Sequence, residues 1–152
     1  MAIKEITSLS SRHRRALEWF AARKGQESFW PTPIILRNGV STHLVCRPKG
    51  IYKPQWSQYA LSVRVAKGGP YPDREPVFKK DGTWRLEYFQ ENKDPRSRDL
   101  EFTNKGLLSC LRDRVPVGVM YQIQSRPRPK YLILGLAFVN DWHEGYFLLE
   151  GI

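Results

Sequence analysis

Val117-Gly118-Val119-Met120-Tyr121-Gln122-Ile123, Tyr131-Leu132-Ile133-Leu134-Gly135-Leu136-Ala137-Phe138-Val139 and Tyr146-Phe147-Leu148-Leu149-Glu150 decide the fold of this chain. Each is a short run rich in β-branched and aromatic residues and bounded by turn formers, which marks strands rather than helices. The first two runs are separated by Ser125-Arg126-Pro127-Arg128-Pro129-Lys130, and the last two by a polar tip over 141–145. Connections this short join antiparallel neighbours, so the last third of the chain reads as an antiparallel meander.

Working outward, Thr103 or Asn104 is expected to cap a helix carrying Leu107, Leu108 and Leu111, which ends near Arg114 because Pro116 cannot continue it. Near the N-terminus, Ser10 and Ser11 can cap a helix from Arg12 to about Lys24, with Leu17, Phe20 and Ala21 as its apolar stripe and Gly25 as its stop. Prolines and glycines break up the following segment and leave a short strand at Thr42 to Cys46. Tyr59 to Ala66 alternates as a strand, and Asp81-Gly82 is a hairpin turn signal ahead of a strand at Trp84 to Phe89. Gly69-Pro70-Tyr71-Pro72-Asp73-Arg74 and the polar run Gln90 to Asp99 read as loops. The fold expected is a single α+β domain over residues 1–152, an antiparallel β-sheet core with two principal helices.

The chain carries 25 Lys plus Arg against 15 Asp plus Glu, a net charge of +10 in 152 residues. A surplus of that size points to a polyanionic partner. Nucleic acid fits better than a membrane, because no apolar run is long enough to span one and no long basic amphipathic helix is visible. With 41% hydrophobic and 12% aromatic residues there is material for a real core. Met1-Ala2-Ile3-Lys4-Glu5 carries no basic region leading into an apolar core, so the expected location is the cytoplasm.

Catalytic patterns are sparse. Cys46 and Cys110 are isolated and lack CxxC spacing, and His13, His43 and His143 are widely spread, so neither zinc nor a nucleophilic dyad is expected. No phosphate-cradling P-loop or dinucleotide glycine fingerprint occurs, and no cofactor is expected. Pro72-Asp73 followed by Glu91-Asn92-Lys93 matches the letters of the metal-dependent PD…ExK nuclease pattern. That chemistry requires the two carboxylates to converge on one metal from adjacent strands, whereas here both lie in expected loops.

Binding patterns are richer. Arg12-His13-Arg14-Arg15 occupies the first turn of the first helix and Asn104-Lys105-Gly106 opens the second. Unpaired amide donors and the positive end of the helix dipole favour phosphate at such places. Cations there oppose the dipole by roughly 0.3–1 kcal/mol each, a cost that hints at an anionic ligand. Arg126, Arg128 and Lys130, stiffened by prolines, form a third basic candidate that can reach a groove or a second phosphate.

Six segments in order, His13-Arg14-Arg15-Ala16-Leu17-Glu18-Trp19-Phe20, Lys49-Gly50-Ile51-Tyr52-Lys53-Pro54, Pro70-Tyr71-Pro72-Asp73-Arg74-Glu75, Phe102-Thr103-Asn104-Lys105-Gly106-Leu107, Val115-Pro116-Val117-Gly118-Val119 and Gly145-Tyr146-Phe147-Leu148-Leu149-Glu150-Gly151, together resemble the sulfur-binding domain of McrA-type restriction endonucleases. The resemblance spans nearly the whole chain. It implies a non-enzymatic reader of double-stranded DNA in which sulfur replaces one non-bridging phosphate oxygen, within a type IV modification-dependent restriction system. It implies that Tyr71 and Pro72 form an apolar wall around the sulfur, that Asn104, Lys105 and Gly106 complete the pocket, and that His13 and Arg14 contact the backbone or bases. Arg12, Arg15, Arg74, Arg126 and Arg128 are the further backbone contacts expected. Where the resemblance leads one to expect an arginine the chain has Lys105, which keeps the charge but loses the planar fork. The HNH nuclease that accompanies such domains is absent from this chain and is expected as a linked or separate partner. The alternatives are an SRA- or PUA-like reader that extrudes a modified base into an aromatic pocket, and the PD…ExK nuclease.

Overall fold

The three C-terminal runs form strands, which in full chain numbering are β8 (Val117–Gln124), β9 (Lys130–His143) and β10 (Tyr146–Gly151). The structure, a computed structural model, describes residues 9–47, 49–66, 75–89 and 102–152. β8 pairs with β9 and β9 with β10, all antiparallel, so the meander stands as expected. β9 runs further than its apolar residues suggest, carrying its ladder through Asp141, Trp142 and His143 with an irregularity between Leu148 and Leu149. The tip therefore narrows to Glu144-Gly145, both at positive φ (49° and 86°), the backbone of a two-residue turn matched to the strand twist.

Upstream lie α1 (Ser11–Ala22), β1 (Glu27–Ser28), β2 (Ile34–Ile35), β3 (Ser41–Thr42), β4 (Ile51–Tyr52), β5 (Ser62–Ala66), β6 (Val77–Phe78), β7 (Trp84–Phe89) and α2 (Phe102–Asp113). The main sheet runs β4-β5-β8-β9-β10-β7-β6. β1 pairs with β9 at Tyr131 and Leu132, on the edge opposite β8. Among the described strands only β5 and β8 pair in parallel, so the sheet is mixed but mostly antiparallel. The described residues form a single α+β domain with two helices, as the sequence leads one to expect.

Local chemistry explains most element ends. Ser10 Oγ accepts from the His13 amide at 3.1 Å and caps α1, and Gly25, at φ +85°, turns the chain just after it. Asp81 Oδ1 accepts from the Thr83 amide at 3.0 Å across the β6–β7 hairpin. Arg114, at φ 57°, stops α2 before Pro116. Four expectations shift. The buried face of α1 is His13, Ala16, Leu17 and Phe20, with Ala21 exposed, because the stripe turns one residue earlier than Ala21 requires. The strand expected at Thr42 to Cys46 is the two-residue β3, paired with β2 in a separate hairpin. The strand expected from Tyr59 starts at Ser62. Finally, α2 is already helical at Phe102, so Thr103 and Asn104 are buried within its first turn rather than capping it.

β5 departs from strict alternation, with Ser62, Val63 and Val65 all buried in an inner strand of the sheet between β4 and β8. Its buried Ser62 is satisfied by donating to the Leu44 carbonyl at 2.6 Å. α1 packs over β8 and β9 and α2 against β9 and β4. The contact of α1 with the sheet requires glycine at 118, because a Cβ there would lie 2.2 Å from Phe20 Cδ2.

Candidate nucleic-acid interface

α1 begins with a cluster of cations and no acidic residue in its first turn. Arg12 is clamped: Nε donates to Thr42 Oγ1 at 2.9 Å, Nη2 donates to the Ser41 carbonyl at 3.0 Å, and the guanidinium lies 4.4 Å from the Trp56 ring centroid. Arg14 is half-buried, and Arg15 is exposed and pairs loosely with Glu18 at 3.7 Å. His13 is turned inward and only 1% exposed. Its Nδ1 lies 3.1 Å from Ser57 Oγ, and its ring meets those of Trp56 and Tyr59 edge-on. Ser57 Oγ also accepts from the Tyr59 amide at 3.1 Å, so one hydroxyl ties His13 to the 57–59 backbone. The other ring nitrogen, Nε2, is buried with no hydrogen-bond partner among the described residues. Burial also holds the imidazole down at about 4, so His13 is neutral at physiological pH.

The loop between β4 and β5 joins this helix start to the other one. Lys53 Nζ donates to the Ser57 carbonyl at 2.7 Å, and the Lys53 stem packs on Gly106, where a Cβ would lie 3.1 Å from Lys53 Cδ and 3.1 Å from the Ala60 nitrogen. The Ala60 amide donates to the Gly106 carbonyl at 3.2 Å. The close approach that glycine permits here is thus made by the chain's own backbone. Lys49 Nζ sits 4.6 Å over the Phe102 ring, a second tie between the 49–54 segment and α2. Asn104 and Gly106 are buried and Lys105 is exposed. At the loop's far end Tyr59 donates to Asp113 Oδ2 at 2.6 Å, and the carboxyl is held down at about 2 by its hydrogen bond from the Arg112 guanidinium first and this one second.

The structure therefore gathers His13, Lys53 and Gly106, from three distant segments, around one loop. Arg126 and Arg128 stand elsewhere, at the β8–β9 tip. Arg128 stacks 4.3 Å from the Phe29 ring. Arg126 lines a cleft of about 430 Å³ with Trp30, Arg47, Arg64 and Tyr131. Sequence reasoning missed Trp30, Arg47 and Arg64. The available signal was Arg64 itself, a cation inside an otherwise apolar strand. Tyr71, Pro72 and Arg74, as well as Asp73, Glu91 and Lys93 of the nuclease pattern, lie outside the described residues. Among the described residues no group of three His, Cys, Asp or Glu side chains is arranged to hold a metal ion, and no helix is long and apolar enough to cross a membrane.

No protein-family model matches the chain, and no curated protein matches it. Among solved structures, it is similar to the crystal structure of KRYPTONITE in complex with mCHG DNA and SAH, at 21% identity and a TM-score of 0.40 over 62% of this chain. The chain covers 23% of that protein's length.

Proposed function

We propose that this chain is a non-enzymatic DNA-binding module that reads phosphorothioate-modified DNA for a modification-dependent restriction system. The observation that carries the reading is the convergence, around the 53–60 loop, of His13, Lys53 and Gly106, which belong to three of the segments behind the family resemblance. The net charge of +10 and the absence of acidic residues from the first turns of both helices support an anionic ligand at that place.

The chemistry assigned to Tyr71 and Pro72 follows from sulfur being larger, more polarisable and more weakly hydrated than the oxygen it replaces. Burying about 40 Å² of it at roughly 25 cal/mol per Å² contributes about 1 kcal/mol. An anionic oxygen in the same apolar setting forfeits hydrogen bonds worth roughly 1–3 kcal/mol. The two effects together amount to about 2–4 kcal/mol, or roughly 30-fold to 1,000-fold discrimination.

The test is titration of one labelled duplex carrying a single phosphorothioate, the same duplex without it, and the same duplex with methylcytosine. Preference for the first is expected, and Tyr71→Ala is expected to remove most of that preference while sparing most of the total affinity. A Tyr71→Ala variant with its preference intact refutes the pocket assignment. Preference for the methylcytosine duplex replaces this reading with that of a modified-base reader. Magnesium-dependent cleavage lost in Asp73→Asn replaces it with the nuclease.

A further inference from the structure

Three hollows take lining residues from the 30–52 segment, and no carboxylate lines any of them among the described residues. The first, about 450 Å³, lies at the start of α1 and is lined by Arg12, Arg15 and Arg37. The second, about 290 Å³, is lined by Trp30, His43, Arg47 and Tyr52. The third is the cleft of Arg47, Arg64 and Arg126. The second and third share Trp30 and Arg47. The first and second have no lining residue in common, but Arg12 of the first is bonded to Ser41 and Thr42, directly before His43 of the second. Burial raises the pKa of the Tyr52 phenol above its ordinary value, and the Arg12 charge partly opposes that shift.

The cleft has the features of a built anion site. Arg64 Nη2 donates to the Arg47 carbonyl at 2.9 Å and reaches those of Cys46 and Lys49 at 3.4 Å each. Arg64 Nε is buried without a hydrogen-bond partner among the described residues. A half-buried guanidinium held by backbone carbonyls and the face of Trp30, 5.6 Å away, retains its positive charge and an unused donor at Nε. Arg47 is laid over Trp30 at 4.3 Å, and Trp30 is braced edge-on by Tyr131 at 5.8 Å, so this second guanidinium is ordered before any ligand arrives. Arg126 closes the cleft from the β8–β9 tip.

We propose that this arginine groove tracks the phosphodiester backbone of DNA, and that the Arg47–Arg64–Arg126 cleft holds one phosphate away from the site around the 53–60 loop. The inference rests on the reading of the chain as a DNA-binding module. Guanidinium donors take any non-bridging atom with charge, so the cleft contributes affinity and leaves the sulfur preference untouched.

The experiment uses the full chain and follows duplex binding by fluorescence anisotropy across a salt series, with and without one phosphorothioate. Arg47→Ala and Arg126→Ala leave the backbone carbonyls that hold Arg64 in place. Each is expected to weaken both duplexes about tenfold or more and to flatten the slope of log K against log salt by about 0.9. Lys80→Ala, at the exposed β6–β7 turn, is expected to change neither. Weakening confined to the phosphorothioate duplex, or unchanged slopes in both arginine variants, overturns the groove while leaving the reader proposal standing. Flattened slopes in a protein that shows no sulfur preference keep the groove and overturn the reader. A wild-type chain that binds no duplex overturns both. A parallel titration with pyrophosphate separates the two sources of phosphate: binding lost in the arginine variants while duplex slopes stay unchanged assigns the cleft to a small phosphate and overturns the backbone contact.

Discussion

Acidification from pH 7 to pH 4 is expected to cost the protein about 3 kcal/mol through His13 alone. The ring is 1% exposed, and burial holds its imidazole at about 4, against 6.5 for the unburied group. Between those two values the unfolded chain binds a proton that the folded chain refuses, so stability rises with pH across the window. It is fully present above about 6.5 and is lost as pH falls towards 4, where the deficit approaches 1.36 kcal/mol per pH interval of displacement, or about 3 kcal/mol. The Asp113 carboxyl, held at about 2 from an ordinary 3.8, loses its contribution only below this window. Urea titrations at pH 7, 5.5 and 4, followed by tryptophan fluorescence, should show the loss in the wild type. His13→Gln should be less stable at pH 7 yet lose about 3 kcal/mol less between pH 7 and pH 4. Imidazole proton resonances give an independent reading, since the other two histidines, His43 and His143, are exposed. A His13 resonance titrating at 6.5 or above in the folded protein, or equal pH dependence in the two proteins, refutes the reasoning. Because His13 holds Ser57, and Ser57 orders the loop between the helix starts, the duplex affinity of the folded chain should hold down to about pH 5 and fall only as pH approaches the folded value of about 4.

Two further predictions concern the frame that carries the site. Gly118→Ala should destabilise the protein by roughly 1–3 kcal/mol, because the new methyl meets the Phe20 ring and α1 must shift to admit it; a wild-type urea midpoint would contradict the tight seat of α1. Cys110 is buried, donates to the Ala60 carbonyl and has its thiol pushed up to about 12, so alkylation at pH 8 should modify it only after unfolding. Rapid labelling of Cys110 in the native protein, located by peptide mass, would show that α2 opens readily.

What was legible in the sequence was local. Ser10 and Gly25 bound α1, Asp81-Gly82 turns the β6–β7 hairpin, and the C-terminal meander is joined by short connections, so in each case the informative residues sit within a few positions of the structure they specify. Pairings across long separations left no such mark. β5 lies parallel to β8 through Ser62 opposite Gly118, and β1 borrows the edge of β9, because side chains from remote segments fit together there. The inward turn of Thr103 and Asn104 followed the same logic: both have the chemistry of caps, but the packing of α2 against β4 and β9 buries them within the helix. Among the site residues, Arg12, His13 and Gly106 drew attention as motif members. Arg47 and Arg64 are single cations in unrelated contexts, and only the ladder between β4, β5 and β8 sets them beside the β8–β9 tip.

On the proposed function, that division bears on how one small domain would bind DNA and still choose one atom. Arginines fixed by carbonyls and aromatic rings attract every phosphate alike, and adding more of them raises affinity for modified and ordinary DNA together. Selectivity requires the opposite environment, a place where charge is poorly solvated and an oxygen loses more than a sulfur. On the proposed reading the chain separates the two, with the groove supplying the first and the Tyr71-Pro72 segment the second. The separation has a measurable consequence. A double variant combining Arg47→Ala with Tyr71→Ala should show additive losses in affinity, because independent contacts contribute independently, and its residual sulfur preference should equal that of Tyr71→Ala alone. A preference that changes when the arginine is removed would mean that the groove helps to press the backbone against the apolar wall, and the two functions would then share one mechanism.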